Sequence, residues 1–389
     1  KNSHEIERYL DLLSKEVELY ADMPAIAERD LHFIYFGGGT PSFISSKFLK
    51  NLVTRVTAAM PWDKALEVAF ECEPGTLTQS KLETIREVGV TRLSIGVESL
   101  NDAVLRENGR AHVTKEIYRI MPWVHQLEFD QVNIDLIAGM VGEVRQTWEE
   151  TVQKAIELNP DSITIYQMEL PFNTVYSKQI LDKDGTSLYV ADWQTKREWH
   201  EYAIEQLTGA GFEVSSAYTM VKKDRPNQFI YRDALWQSSD MIGAGVASFS
   251  HLNGIHFQNQ THWKGYLDSL EAGRLPLNRA FKISAEDVIV FHDDIDVEFG
   301  KIKTKFGGSS AGHNGIASID KFIGKDYSRV RIGIGKPKGS IEVADYVLQN
   351  FNEEELIDIE KISIGMTESI SILVEKKLDL FSSTVNNQK

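Results

Sequence analysis

A glycine run and two carboxylates stand at or just past the ends of short apolar segments in the front of the chain, and a third carboxylate stands within one. Gly37-Gly38-Gly39-Thr40 follows Tyr35-Phe36, Glu71 and Glu98 close or follow strand-like runs, Asp135 lies within the run Gln131–Ala138, and Arg110 stands between the last two acids. Consecutive glycines let a backbone pass close to a ligand, and their N–H and C=O groups can bind the ends of an amino acid. Carboxylates accept from hydroxyl and ammonium groups, and an arginine pairs with a carboxylate. A second set lies near the C-terminus: His292-Asp293-Asp294, then Gly307–Gly312 followed by His313-Asn314-Gly315, with Lys303, Lys305 and Arg331 nearby. An acid that orients a base and an amide that positions a carbonyl would suit hydrolysis. Taken singly, the acids fit a helix cap or a surface charge equally well, the glycine run fits a tight turn, and Asn314 fits a helix N-cap.

Elements of two kinds must position these groups. Strand-like runs cover His32–Phe36, Leu66–Glu71, Arg92–Val97, Gln131–Ala138, Ser162–Glu169 and Phe212–Ser216. Amphipathic helices cover Ser46–Ala59, Leu77–Val88, Thr114–Leu127, Arg145–Leu158 and Ala191–Ala210. This alternation predicts βα units around a parallel sheet, open or closed into a barrel, with polar motifs at its carboxyl edge. The later part predicts strands at Val288–His292, Lys301–Phe306 and Arg329–Gly333, with helices from Asn314, at Ile341–Leu348 and at Glu353–Glu375. That is an α/β unit with few strands.

The composition changes where the pattern does. All seven tryptophans lie between Trp62 and Trp263, and only Pro337 of the ten prolines follows residue 284. The net charge of −15 argues against general nucleic-acid binding, yet Lys301–Lys338 holds nine Lys/Arg against Asp320 and Asp326. Such a window is either a solvated basic surface or an anion-binding face. The chain is long enough for two or three domains. It has no apolar run long enough to cross a bilayer and no signal peptide, which predicts a cytosolic protein. Its first residue is lysine, which reads as a processed or cut N-terminus.

In order and spacing, residues 5–286 resemble the radical-SAM (S-adenosylmethionine) family of oxygen-independent coproporphyrinogen III oxidases and heme chaperones. The motifs are Tyr35–Ser42, Glu71–Thr76, Gly89–Ser99, Asn108–His112 and Asn133–Gly139, with Tyr166–Glu169 and Asp240–Ser250 further on. The resemblance implies a partial (β/α) barrel over 1–286, lacking its first strand and cluster loop. It implies SAM contacts at Gly38, Gly39, Thr40, Glu71, Glu98, Arg110, Asp135, Met168 and Phe249, and a tetrapyrrole-type substrate. Residues 287–389 resemble the C-terminal part of bacterial peptidyl-tRNA hydrolase through Gly312-His313-Asn314-Gly315 and Arg329-Val330-Arg331-Ile332-Gly333-Ile334-Gly335. That match implies an incomplete α/β unit with catalytic roles for Asp293 and Asn314 and tRNA contacts at Lys303, Lys305 and Arg331. No residue of the chain is expected to be a metal ligand.

Both resemblances also name groups this sequence does not hold. The radical-SAM family holds a 4Fe–4S cluster on three cysteines in a C-x3-C-x2-C motif, whereas this chain has Cys72 alone. Hydrolase relatives take their catalytic histidine from strands that would precede Val288 by about ninety residues; His292 and His313 are read as no substitute, and His313 as structural. The expectation is a chimeric chain without either parent activity, joined without a Gly/Ser/Pro linker and so by misassembly, recombination or splicing.

Overall fold

The computed structural model describes residues 3–27, 29–169, 190–225, 228–281, 284–337 and 341–387. The chain forms two compact units, Lys1–Ala280 and Phe281–Lys389.

The first unit is built on a seven-stranded sheet. Helix α1 (Ser3–Ala21) precedes β1 (Phe33–Phe36), α2 (Ser46–Ala59), β2 (Glu67–Cys72), α3 (Gln79–Glu87) and β3 (Arg92–Glu98). Helices α4 (Asp102–Glu107) and α5 (Thr114–Gln126) lead to β4 (Gln131–Ala138), α6 (Arg145–Glu157) and β5 (Ser162–Gln167). Strands β1 to β5 are parallel and in chain order, the arrangement of successive βα units. After α7 (Trp193–Gly209), strands β6 (Phe212–Val214) and β7 (Thr219–Lys222) close the far edge in the order β5-β7-β6, with β7 antiparallel to β5 and β6 antiparallel to β7. Residues 170–189 lie outside the described residues; the predicted Ser162–Glu169 run is described throughout, and its strand ends at Gln167.

Branched and aromatic side chains fill the layer between sheet and helices. Val68, Phe70, Leu93, Ile95, Ile134, Leu136, Ile163 and Ile165 pack against Leu82, Ile85, Ile120, Val124, Trp148 and Val152, all buried. Helix starts are set by capping: Ser45 Oγ accepts from Phe48 N and Thr78 Oγ1 from Lys81 N, each at 3.2 Å. At the amino edge, buried Arg92 donates from Nε to Glu67 Oε2 at 2.8 Å. The Glu67 carboxylate also accepts from Ile230 N and Tyr231 N at 3.2 Å, which fixes the start of α8 (Ile230–Trp236) against the sheet.

A small three-stranded sheet completes this unit: β8 (Phe249–Leu252), β9 (Ile255–Asn259) and β10 (Leu277–Phe281), with α9 (Trp263–Glu271). It is tied to α1 through buried Glu16, which accepts from Gly245 N at 2.8 Å, Asn259 Nδ2 at 2.6 Å and Tyr266 Oη at 2.5 Å. Burial raises the Glu16 carboxyl above its ordinary range against those donors. Within the Asp240–Ser250 motif, Gly245 has φ of +111° and β8 starts at Phe249.

The second unit has strands β11 (Ile289–Asp294), β12 (Ile302–Phe306) and β13 (Ser328–Gly333) in the order β11-β13-β12. β13 is parallel to β11 and antiparallel to β12. Helix α10 is Asn314–Ile323, α11 Val343–Tyr346, α12 Glu353–Glu368, α13 Ile370–Val374 and α14 Leu378–Asn387. The predicted Glu353–Glu375 helix is thus broken at Ser369, whose N–H bonds back to Gly365 O. Ile302, Val330, Ile362, Leu373, Phe381 and Val385 form the core of this unit. On β12, Asn386 Oδ1 accepts from Ile302 N and its Nδ2 donates to Ile302 O, at 2.9 and 2.8 Å.

Candidate functional site

In the first unit the parallel strands bring the predicted acids to one edge. β1 ends into Gly37–Gly39, β2 ends at Glu71-Cys72, β3 at Glu98 and β4 at Asp135–Ala138. Gly38 and Gly39 have φ of +76° and +138°, a region where side chains are strained, and a Cβ on either would meet open space. The turn therefore demands glycine for its backbone and leaves room beside it. Thr40 precedes a short 3-10 turn and makes no side-chain cap.

Asp135 is held by its neighbours in the sheet. Ser94 Oγ donates to Oδ2 at 3.0 Å and Asn133 Nδ2 to Oδ1 at 2.9 Å, while Asn133 Oδ1 accepts from Ser162 and Thr164. Burial, then the nearby Glu98 and Glu71 charges, push its carboxyl up to about 7 against those hydrogen bonds. Burial likewise raises Glu98, opposed by the Arg110 guanidinium, whose Nη2 lies 2.9 Å from Oε1. Glu98 has φ of +66° at a register shift in β3, a strained backbone for a non-glycine residue and one that turns its carboxylate out of the strand alternation. Tyr35 donates to Glu71, and its ring stacks on Tyr231 at 4.0 Å. Burial and the charges of Asp135, Glu71 and Glu98 push the Tyr166 hydroxyl up to about 12. The field at this edge is negative, with Arg110 paired to one acid.

Neighbouring groups brace the edge. His112 Nδ1 lies 2.7 Å from Glu73 Oε1 and its Nε2 3.2 Å from Val97 O. Ser42 Oγ accepts from Glu73 N and from Thr76 Oγ1, pinning the glycine loop to the end of β2. Buried Lys196 donates to Met168 O at 2.7 Å and packs on Gly139, where a Cβ would stand 2.7 Å from its Cγ. Met168 is thus anchored by its backbone just past β5. Phe249 opens β8 on the small sheet and is 58% exposed. Sequence reasoning missed Tyr231 and gave no role to Ser94 and Asn133, although both lie in the quoted motifs and alternation on β3 and β4 could have placed them on the Asp135 face.

In the second unit, Asp293 Oδ1 meets His313 Nε2 at 2.9 Å. His313 Nδ1 accepts from Ile316 N at 3.3 Å as the N-cap of α10, so Nε2 carries the proton given to Asp293. Asn314 is the first residue of that helix rather than its cap. His292, whose ring lies edge-on to His313 at 5.1 Å, has Nδ1 2.6 Å from Asp293 O and a buried Nε2 without a partner among the described residues. Burial lowers its imidazole below the ordinary range.

The antiparallel register sets Lys303 opposite Arg331 and Lys305 opposite Arg329, which puts four cations on one face. Two are neutralised. Buried Arg329 bonds Asp320 at 2.7 Å and the carbonyls of Ser309 and Gly308 at 2.9 and 3.0 Å, holding the glycine loop. Arg331 Nε donates to Asp294 Oδ2 at 2.7 Å. Burial, then Arg329 and Arg331, lower the Lys305 ammonium, and Lys303 is exposed.

Among the described residues, no group of three His, Cys, Asp or Glu is arranged to hold a metal, and no helix is long and apolar enough to cross a membrane. Cys72 is buried, and burial, then Glu71, raises its thiol far above the usual range.

Two α/β families are matched within one chain. Residues 4–155 match the radical SAM superfamily and residues 272–389 match peptidyl-tRNA hydrolase. The front region is similar to the oxygen-independent coproporphyrinogen III oxidase of Synechocystis, 25% identical over 296 residues, which cover 73% of this chain and 62% of that protein. It is similar also to the heme chaperone HemW of Bacillus subtilis, 24% identical with 74% of each chain covered. The structure of the Escherichia coli coproporphyrinogen III oxidase superposes with a TM-score of 0.64 at 24% identity, covering 74% of this chain and 67% of that one, which shows the shared fold. The back region is 71% identical over 108 residues to the peptidyl-tRNA hydrolase of Pelagibacter ubique, 28% of this chain and 58% of that protein. The chain therefore carries a radical SAM domain related to coproporphyrinogen oxidases and heme chaperones, followed by a peptidyl-tRNA hydrolase region. It spans less than two thirds of the hydrolase and of the Synechocystis oxidase.

Proposed function

We propose that the front unit is a SAM-binding module of porphyrin or heme chemistry with a tetrapyrrole-type substrate, and that these 389 residues bind SAM without cleaving it. The supporting observation is the meeting of the open Gly38–Gly39 turn with Glu71, Glu98 and Asp135 at one strand edge. SAM carries a sulfonium and an ammonium cation, ribose hydroxyls and a carboxylate. Acids and the turn suit the first three, and Arg110 suits the carboxylate. SAM supplies the activated sulfonium from which the superfamily's radical chemistry starts. A 4Fe–4S cluster does not fit the residues of this chain: Cys72 is single and sunk in the core. Calorimetric titration with SAM is expected to show binding that Asp135→Ala weakens at least tenfold. Anaerobic iron–sulfur reconstitution is expected to give no SAM-responsive electron paramagnetic resonance signal, and such a signal would refute the second half of the proposal.

A second reading rests on the β12–β13 face. We propose that Lys303 and Lys305, with the outer nitrogens of Arg331, meet tRNA phosphates, and that Asp293 and Asn314 belong to a hydrolytic site that lacks its base here. Both His313 nitrogens are engaged, which supports the sequence-based view of it as structural. Peptidyl-tRNA cleavage by the chain alone is expected at background; turnover abolished by Asp293→Ala would overturn this reading.

A further inference from the structure

We infer that Met241, His251 and His256 form a binding site for a soft monovalent metal cation, the cuprous ion, on one face of the β8–β9 hairpin.

The backbone brings the two histidines together. β8 and β9 are joined by Asn253-Gly254, whose φ values of +51° and +76° belong to the two-residue type I′ turn of hairpins. That turn fixes the register, Leu252 opposite Ile255 and His251 opposite His256. The backbone of His251 is turned the other way: its N–H donates to Met241 O at 2.9 Å, and its C=O accepts from Met241 N at 2.7 Å. His251 and His256 are therefore a pair without mutual backbone bonds, the kind whose Cα atoms approach to about 4.5 Å and whose side chains come closest. Their rings stack, with centroids 4.5 Å and planes 25° apart.

The same backbone adds a third donor. Directly opposed residues of antiparallel segments point to one face of the sheet, so the bridge between Met241 and His251 sets a thioether beside the imidazoles. The row across the face is Met241, His251, His256, one donor from each of three adjacent segments. Met241 and His251 are half-buried and His256 is exposed, so the row is open to solvent at one end. Among the described residues, no side-chain hydrogen bond engages either imidazole.

The donor set names the ligand. Two metal–nitrogen bonds of about 2.0 Å each span nitrogens up to about 4 Å apart, a separation that these stacked rings reach by small turns. Imidazole suits zinc and copper alike, whereas a thioether selects Cu(I). All three donors are uncharged, which matches a monovalent ion. The nearby Asp240 carboxylate is already taken by the Arg29 guanidinium and Asn253 N. A metal ringed by four pyrrole nitrogens accepts one ligand on each side, so three donors on one face fit the free ion. Positions 241, 251 and 256 form no ligand motif along the chain, which is why the sequence-based reading expected no metal ligand. Only the hairpin register and the bridge unite them.

The test titrates the intact chain anaerobically with cuprous ion in competition with the chelator bicinchoninate. One ion per chain is expected, and copper K-edge absorption is expected to show one sulfur and two nitrogen neighbours. Met241→Leu, which keeps the bulk of the side chain, is expected to remove the sulfur neighbour and weaken binding roughly tenfold or more, and His256→Gln to weaken it at least as much. Far-ultraviolet circular dichroism checks that both variants are folded. Cys72→Ala removes the single thiol and is expected to leave affinity and spectrum as they were. Failure of the chain to compete with the chelator overturns the proposal, as does copper binding that follows Cys72 or that Met241→Leu and His256→Gln both leave unchanged. Zinc ion binding more tightly than cuprous ion at these residues overturns it too, because the thioether would then take no part.

Discussion

Asp135 shows what a single side chain adds to the motif that carries it. A carboxyl raised from 3.8 to about 7 keeps its proton in the fold at pH values where the unfolded chain has released it. Its contribution to stability is therefore greatest below the unfolded value and is lost as pH rises toward 7. The thermal midpoint of the front unit is expected to fall between pH 5 and 7.5, and Asp135→Asn to flatten that slope; an unchanged slope would show that other groups set it. A cationic ligand needs the ionised form, so SAM affinity is expected to rise across pH 6 to 8 in calorimetry and to lose this rise in Asp135→Asn. Glu71 and Glu98 were legible because each stands at the end of an apolar run, whereas Asp135 lies inside β4 and was legible only through the family resemblance. Their electrostatic coupling was not, because it depends on Glu98 and Glu71, 37 and 64 residues away in the chain, lying beside Asp135. The same holds for His313, whose bond to Asp293 spans a glycine loop that carries no periodicity.

At the scale of elements, the sequence pattern located every strand from β1 to β5 within a residue or two, since each alternates or runs apolar between helices with clear caps. β7 to β10 escaped it. They are short, partly polar and held by partners distant in the chain, such as Glu16 on α1 clasping Gly245, Asn259 and Tyr266. The basic window was read as nine like charges, but the β12–β13 register and two acids divide it into structural and exposed cations. Arg329→Ala is accordingly expected to destabilise the second unit by about 3–5 kcal/mol, because Asp320 would remain buried without its partner and the Gly307–Gly312 loop would lose its tether. Chemical denaturation followed by circular dichroism measures it. Lys303→Ala should leave stability within about 0.5 kcal/mol. It should reduce the salt dependence of tRNA binding by roughly one phosphate contact in filter-binding titrations.

Across the whole molecule, the boundary between the two units falls at residues 280 and 281, near but not at the compositional change, while the hydrolase match begins at residue 272. Separate cores predict separate transitions, so brief digestion should cut near residues 280–290 and leave two resistant fragments; uniform degradation would argue that neither unit folds alone. The composition shift after Ser284 was readable since tryptophan and proline usage changes there. The break at a particular residue was not, because β10 runs up to Phe281 without any turn signal.

The amide of Asn386 turns the small sheet into a one-ended template. By giving Ile302 both a donor and an acceptor, it does at β12 what a neighbouring strand would do, and α14 carries it there. A strand added at β12 would have to displace this amide from Ile302, whereas no side-chain cap of that kind lies on β11 among the described residues, so the two edges of the sheet are unequal.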